Sequence, residues 1–335
     1  MTLEGVTQRS LQKRILVTGS RGKSSVVRLL YAAMQAAGLQ TYARITGIVP
    51  RELGSDGIRT ISRSAGAHVE EMRWWLRRLP ASTQAIVLEN SAITPEYQNL
   101  AGQWLRPGIT VLTNTMPDHQ ELWGPTSASA AQVLVTGIPA HGQVILPVSL
   151  KSDGHLLNLL KRRHCQLKFA EPASDAGESY KASNIGLALT VLSHLGFDSV
   201  LALQTLLNLP DDRYDFHVAE YGGAKVAMAF SANDITSTRA LFQSLKWSQD
   251  ETRLIYNHRS DRPGRFRSFI AWLSQSGWQE VLIIGDRPAR RPASARYLSI
   301  KNQRGLMRLI QPGDRIFGCG NIAGLPMSLT AVANR

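Results

Sequence analysis

The chain has 335 residues, enough for one large or two ordinary domains, each with its own core. Hydrophobic residues make up 43% and charged residues 19%, which excludes a disordered chain, and no apolar run approaches the roughly 20 residues that span a bilayer. Lys and Arg number 38 against 25 Asp and Glu, a formal charge of +13 that draws polyanions, whether nucleic acid, an acidic polymer or a nucleotide, and that solvated surface arginines produce equally well.

Short β-branched runs recur along the chain at Ile15 to Thr18, Ala85 to Leu88, Ile109 to Thr113, Gln143 to Leu146, Lys225 to Phe230, Arg253 to Asn257 and Glu280 to Ile284. Helical patterns separate them, so the expected fold is α/β, with parallel sheets covered by helices. After the first strand, Val27, Leu30, Met34 and Ala37 stand at helical spacing from Ser24 onward, and Gly38 is a stop signal. Glu171 to Glu178 is polar and reads as an exposed loop. Leu209-Pro210-Asp211-Asp212 then breaks the pattern and places a domain boundary near 212, giving domains 1–212 and 213–335, the second a smaller Rossmann-like α/β unit. Cys165 and Cys319 lack metal or redox spacing, and the polar, basic N-terminus lacks a signal-peptide core, which together point to a reducing, cytoplasmic setting. Membrane association is then expected only at the periphery, through partner subunits.

Three segments carry chemistry. In ILVTGSRGKSS a strand runs through Gly19, Ser20, Arg21 and Gly22 into Lys23, Ser24 and Ser25 at a helix start. Backbone amides and the helix N-terminus favour phosphate there, Lys23 adds positive charge, and the Ser24 hydroxyl can reach Mg²⁺. The spacing, G-x-x-G-K-S, is shorter than the usual phosphate-loop pattern. The second segment is Glu89, a carboxylate at the C-terminal end of an apolar strand, where open α/β sheets bind ligands and where it could bridge to a metal. The third is Asp118-His119, which again follows an apolar strand; Mg²⁺ prefers oxygen, so position and not residue type singles out His119. Lys, Ser, Glu and His at converging strand ends describe a phosphoryl-transfer site using ATP and Mg²⁺, with Lys23, Glu89 and His119 as its catalytic groups. Further along, Asn257, Arg259, Asp261, Arg262 and Arg265 follow a strand and gather three guanidiniums, whose forks suit a carboxylate or phosphate. A basic turn that caps the next helix would look the same.

The order GSRGKS, Thr46-Gly47, LEN, TN-x-x-x-DH and a helix containing Asn184 resembles the Mur ligase superfamily. RITG, ENSAITPEYQ, DHQELWGPT, AFSANDITST, YNHRSDRPGR and FGCGNIAG, all colinear, resemble most closely the ligase subunit of capsule-type poly-γ-glutamate synthases. The resemblance implies a phosphate-loop central domain with a Rossmann-like C-terminal domain. It also implies an ATP-dependent ligase that makes an acyl phosphate and adds glutamate to a γ-glutamyl chain, releasing ADP and phosphate. On this basis Gly19 to Ser25 hold the phosphates, Ser24, Thr46, Glu89 and His119 the metal, and Asn184 meets adenine, while Arg213 and Asp234 stand near the superfamily's remaining nucleotide contacts.

Several positions depart from that pattern. The lysine that many Mur ligases carry after the DH pair, modified there to a carbamate, is missing from Ser127 to Gly137. The superfamily aspartate of the D-x-x-H-N-P stretch falls near Phe230, with Asn233 and Asp234 close by as substitutes. The short segment before Ile15 offers no membrane anchor and no room for a UDP-sugar-binding domain, so a peptidoglycan substrate is not expected. The expected partners are glutamate, another acidic amino acid or a γ-glutamyl chain, with membrane-bound subunits of a synthase; a homo-oligomer is compatible and nucleic acid is not expected. One competing reading, carried by the +13 charge and the missing lysine, is a basic nucleotide- or nucleic-acid-binding regulator that kept the fold and lost the chemistry; another keeps the ligase and makes the acceptor a different acidic amino acid, a folate-like glutamyl chain or a short peptide.

Overall fold

The computed structural model describes residues 13–47, 49–63, 66–174, 180–232 and 234–329. The chain divides into two compact units, Met1–Pro210 and Asp211–Arg335. Residues 175–179 of the expected polar loop and Asn233 lie outside the described residues.

The first unit runs β1 (Lys13–Thr18), α1 (Lys23–Ala36), β2 (Thr41–Ile45), β3 (Arg51–Gly54), β4 (Gly57–Thr60), α2 (Glu71–Arg77), β5 (Ala85–Glu89), α3 (Gln98–Leu105), β6 (Ile109–Leu112), α4 (Gln120–Trp123), α5 (Ser127–Thr136), β7 (Gln143–Pro147), α6 (Gly154–Arg162), β8 (Gln166–Ala170), α7 (Tyr180–His194) and α8 (Ser199–Leu207). Its strands form one sheet in the order β4-β3-β2-β5-β1-β6-β7-β8. Six strands are parallel, and only the β2–β3 and β3–β4 pairs are antiparallel.

The central strands are apolar throughout because both faces are covered. Ile15 and Val17 face α1, α7 and α8, while Leu16, Ile86 and Leu88 face α2 and α3. A third cluster packs α5, α6 and Trp123 over β6 and β7. In register, Val17 lies beside Glu89 and Thr18 beside Leu112, so the loops after β1, β5 and β6 leave the sheet at one edge.

The second unit runs β9 (Val218–Tyr221), β10 (Ala224–Met228), α9 (Ile235–Ser244), β11 (Thr252–His258), α10 (Pro263–Leu273), β12 (Glu280–Gly285), β13 (Ala295–Tyr297), α11 (Gln303–Met307), β14 (Arg315–Gly320) and α12 (Leu325–Leu329). The sheet order is β13-β12-β11-β14-β10-β9, parallel except for β9. Its core is aromatic: Phe242, Trp272, Trp278 and Phe317 meet edge to face, with ring centroids 4.9 to 6.2 Å apart. No described helix in either unit is long and apolar enough to cross a membrane.

Candidate active site

The loop between β1 and α1 is shaped by two glycines in left-handed backbone. Gly19 has φ 127°, and a Cβ there would run into Thr113; Gly22 has φ 78° and serves as the N-cap of α1. Helix α1 has no side-chain cap and no acidic residue in its first turn, so its N-terminal amides keep their anion-attracting field. Ser24 and Ser25 sit in that turn, half-buried. Lys23 folds back over the loop, with Nζ donating to the Gly19 carbonyl at 2.7 Å and lying 3.4 Å from the Ser20 carbonyl. Desolvation pulls the Lys23 pKa below the ordinary lysine value; Glu89 and Asp118 pull it back up, and Arg21 pushes it further down.

On the β5 side, Glu89 is 3% exposed and its Oε2 accepts from Ser24 Oγ at 2.9 Å and from the Thr46 amide at 3.1 Å. Thr46 thus reaches the site through its backbone. The Ser24 hydroxyl and the Glu89 carboxylate form a pair of hard oxygen donors, which fits magnesium. Among the described residues no group of three or more His, Cys, Asp or Glu side chains gathers as a metal cage. Magnesium needs none when it keeps water and takes phosphate oxygens.

On the β6 side, the loop is braced by residues to which the sequence alone assigned no role. Asn114 accepts from the Arg21 amide at 3.2 Å and returns a bond from Nδ2 to the Arg21 carbonyl at 3.0 Å, while its own carbonyl takes the Ser20 amide at 3.2 Å. Thr113 Oγ1 donates to the Arg21 carbonyl, and Ser20 Oγ to the Met116 carbonyl at 2.6 Å. Asp118 pairs with Arg21 and lies 3.7 Å from His119 Nε2. Burial pushes the Asp118 carboxyl up, but Arg21, His119 and Lys23 outweigh it and hold the pKa below the usual carboxylate range. His119 begins α4 at φ 45°, a conformation that residues with a Cβ seldom adopt, and its ring lies 5.1 Å from Trp123. The available signal for these braces was a polar run, Thr113-Asn114, directly after an apolar strand.

Asn184, on α7 and 7% exposed, reaches the same loop: a Cβ at Gly22 would be 2.8 Å from its Oδ1. The structure therefore gathers Gly19 to Ser24, Thr46, Glu89 and Asn184 in one place, with His119 joined to it through Asp118 and Arg21.

The remaining expected contacts lie in the second unit. Arg213 covers the Tyr214 ring at 5.1 Å, and Asp234 caps α9, accepting from the Ser237 amide at 2.7 Å. Asn257 is 2% exposed and donates to the carbonyls of Asn321 at 2.6 Å and Ala323 at 2.9 Å. Arg265 also bonds Asn321, through its side chain. Arg259 forks onto Asp261 at 2.9 and 2.7 Å, with Arg262 Nε 3.9 Å from that carboxylate. Asn257 and Arg265 thus meet around Asn321, and Arg259 and Arg262 around Asp261.

Comparison with known proteins agrees with this architecture. Residues 17–233 match the Mur ligase middle domain, and residues 215–335 match the poly-gamma-glutamate synthase CapB C-terminal domain. A protein named PGA synthase CapB from Bacillus subtilis (strain 168) is 26% identical, spanning 94% of this chain and 88% of its own length. The capsule biosynthesis protein CapB of Bacillus anthracis is 24% identical, over 94% of this chain and 75% of that one. Among solved structures, a bifunctional folylpolyglutamate synthase/dihydrofolate synthase from Yersinia pestis CO92 shares the fold with a TM-score of 0.71, at 15% identity over 98% of this chain and 91% of that one. The same Yersinia pestis enzyme with Mn, AMPPNP and L-glutamate bound superposes with a TM-score of 0.66, at 15% identity over 98% and 93% of the two chains. Since the middle-domain match alone covers well over half of the sequence, the chain belongs to the Mur ligase family.

Proposed function

We propose that this protein is an ATP-dependent acid–amino-acid ligase that adds glutamate to a γ-glutamyl chain and releases ADP and phosphate. The observation that carries the reading is the convergence of Lys23, Ser24 and Glu89, held together at the ends of β1 and β5 by Lys23–Gly19, Ser24–Glu89 and Thr46–Glu89 bonds. Two relatives named for PGA or capsule synthesis, each similar along 94% of this chain, support glutamate as the added unit.

In this reading the loop amides from Gly19 to Ser24 and the first turn of α1 receive the phosphates. Lys23 Nζ exchanges the Gly19 and Ser20 carbonyls for phosphate oxygens. Ser24 Oγ and Glu89 would hold magnesium, which would supply charge neutralisation for phosphoryl transfer. A carboxylate oxygen of the substrate attacks the γ-phosphorus, the bond to the β-phosphate oxygen breaks, and ADP leaves. The neutral amine of the incoming glutamate then forms the C–N bond as the C–O bond to phosphate breaks, and the surplus amine proton passes to solvent. Asp118 keeps Arg21 in place beside the loop, and His119 stands next to that pair. Arg259, Arg262 and Arg265 supply carboxylate-binding forks in the second unit. Partner subunits at the membrane belong to the same reading.

The test is ADP release from the purified chain across a panel of amino acids and γ-glutamyl peptides, with mass analysis of products. ADP release that depends on glutamate, together with a ladder of glutamate units, is the expected result. No turnover with any acidic amino acid or peptide, combined with salt-sensitive binding to DNA or RNA, would replace the ligase with the regulator reading.

A further inference from the structure

Beside the phosphate loop, on the opposite face of the same sheet, lies a group of arginines that the proposed chemistry does not use. Arg44 of β2 is 1% exposed and alternates with Ala43 and Ile45, which pack on the α1 face; its side chain therefore enters the α2 face. There Glu71 of α2 accepts from Arg44 Nη2 at 2.5 Å and from Arg63 Nη2 at 2.7 Å, and its other oxygen takes Arg63 Nε at 2.9 Å. One strand over, Glu52 stands opposite Arg44 in the β2–β3 register and holds Arg59 at 3.2 Å and Arg78 at 3.4 Å.

Two Arg–Glu–Arg triads thus sit side by side, and each carries a net charge of +1. The inner triad is short of acceptors, since Arg44 Nη1 is buried with no hydrogen-bond partner among the described residues. The outer members remain within reach of solvent: Arg63 is 22%, Arg78 71% and Arg59 74% exposed. Exposed Trp74 lies on α2, one turn after Glu71, and offers apolar surface for methylene groups. The group begins close to the reaction edge, because Arg44 is two residues before Thr46, whose amide holds Glu89.

We propose that these two triads form a track for an acidic polymer whose carboxylates join the arginine pairs in the way that Glu71 and Glu52 already do. Guanidinium forks match carboxylates in a planar, two-bond geometry, and both triads are built around a carboxylate. The interspersed glutamates repel a stiff nucleic-acid duplex, which carries about one charge per 1.7 Å of its axis, whereas a single flexible chain with one carboxylate per residue can thread between them. The identity of that polymer as the growing γ-glutamyl chain rests on the ligase reading; its carboxylate chemistry rests on the triads alone.

The experiment measures binding of a fluorescein-labelled poly-γ-glutamate oligomer to the full chain by anisotropy, without ATP. A DNA oligonucleotide of equal charge and phosphatidylglycerol vesicles serve as comparison arms. The double variant R59Q/R78Q and the single variant R63Q, each checked by its melting curve, should weaken oligomer binding about five- to tenfold at low salt. With active protein, the KM ratio of variant to wild type should grow with acceptor length. Equal oligomer binding by wild type and variants would overturn the track, as would a larger loss for DNA or vesicles than for the oligomer. If no acceptor supports ADP release, the ligase reading fails while the anisotropy result still decides the track.

Discussion

Replacing Glu89 with glutamine perturbs the proposed site through charge while leaving its shape almost intact. Glu89 is 3% exposed, and its Oε2 holds Ser24 Oγ at 2.9 Å and the Thr46 amide at 3.1 Å. A glutamine oxygen can keep both donors, each weakened by about 1 kcal/mol as the acceptor loses its charge. Relief from burying a carboxylate offsets part of that loss, so folding stability should change by no more than about 1–2 kcal/mol. The metal loses its only proposed protein anion, and about 3–4 kcal/mol of charge stabilisation in the reaction goes with it, a fall in ADP release of about 10²–10³. The same change removes the leading influence that raises Lys23, so the Lys23 pKa falls further and the alkaline limb of the rate profile moves to lower pH. ADP release is followed against magnesium concentration and pH, beside thermal melts with and without Mg·ATP. A variant with wild-type magnesium dependence and rate would reduce Glu89 to a structural brace for Ser24 and Thr46.

Lys23→Ala removes the ammonium that bridges two loop carbonyls, and both glutamate-dependent ADP release and ATP-analogue affinity by calorimetry should fall, the rate by about 10²–10³; unchanged ADP release would place the chemistry elsewhere. Gly22→Ala puts a Cβ at φ 78° and 2.8 Å from Asn184 Oδ1; the backbone alone costs about 1–2 kcal/mol, so the melting temperature should drop by about 3–6 °C in calorimetry. Asp118 has a depressed pKa in the folded protein, so it contributes stability above the ordinary carboxylate value, and that contribution is lost as the pH falls through the folded value. Asp118→Asn should therefore be less stable than wild type at neutral pH, with the gap closing below about pH 4 in denaturant titrations; a gap that stays constant down to pH 3 would contradict the Arg21 pairing.

The strands visible in the sequence are those buried on both faces, such as ILVT of β1, AIVL of β5 and ITVL of β6, because burial on both faces demands an unbroken apolar run. Strand β2 escaped because Arg44 interrupts it, and the ion pair with Glu71, far along the chain, helps to make that arginine tolerable in a core. Strand β4 escaped because all four of its residues are exposed, and β14 because Gly318 and Gly320 dilute its pattern. The phosphate loop was legible because its glycines and the following helix are local. Asn114 and Thr113 were not legible as loop braces, since nothing in a linear reading ties them to Arg21. Arg259 and Asp261 were legible as a cluster, yet their mutual ion pair depends on loop geometry that composition does not encode.

The position of β1 between β5 and β6 divides the proposed site into two halves with different tasks. The β6 half shapes the loop: Asn114 pairs with both the amide and the carbonyl of Arg21, so the backbone adopts its turn before any nucleotide arrives and little ordering remains to oppose binding. The β5 half supplies charge, and Glu89 lies on the Ser24 hydroxyl where phosphates are expected. Arg21 and Lys23 against Glu89 and Asp118 leave the cradle's side chains without net charge, so the pull on a bare triphosphate comes from the loop amides and the N-terminus of α1 alone. Glu89 would repel one at short range unless a cation stood between them. On the proposed reading, nucleotide and magnesium therefore bind as one unit, with Glu89 as the residue that makes the affinity for one depend on the other.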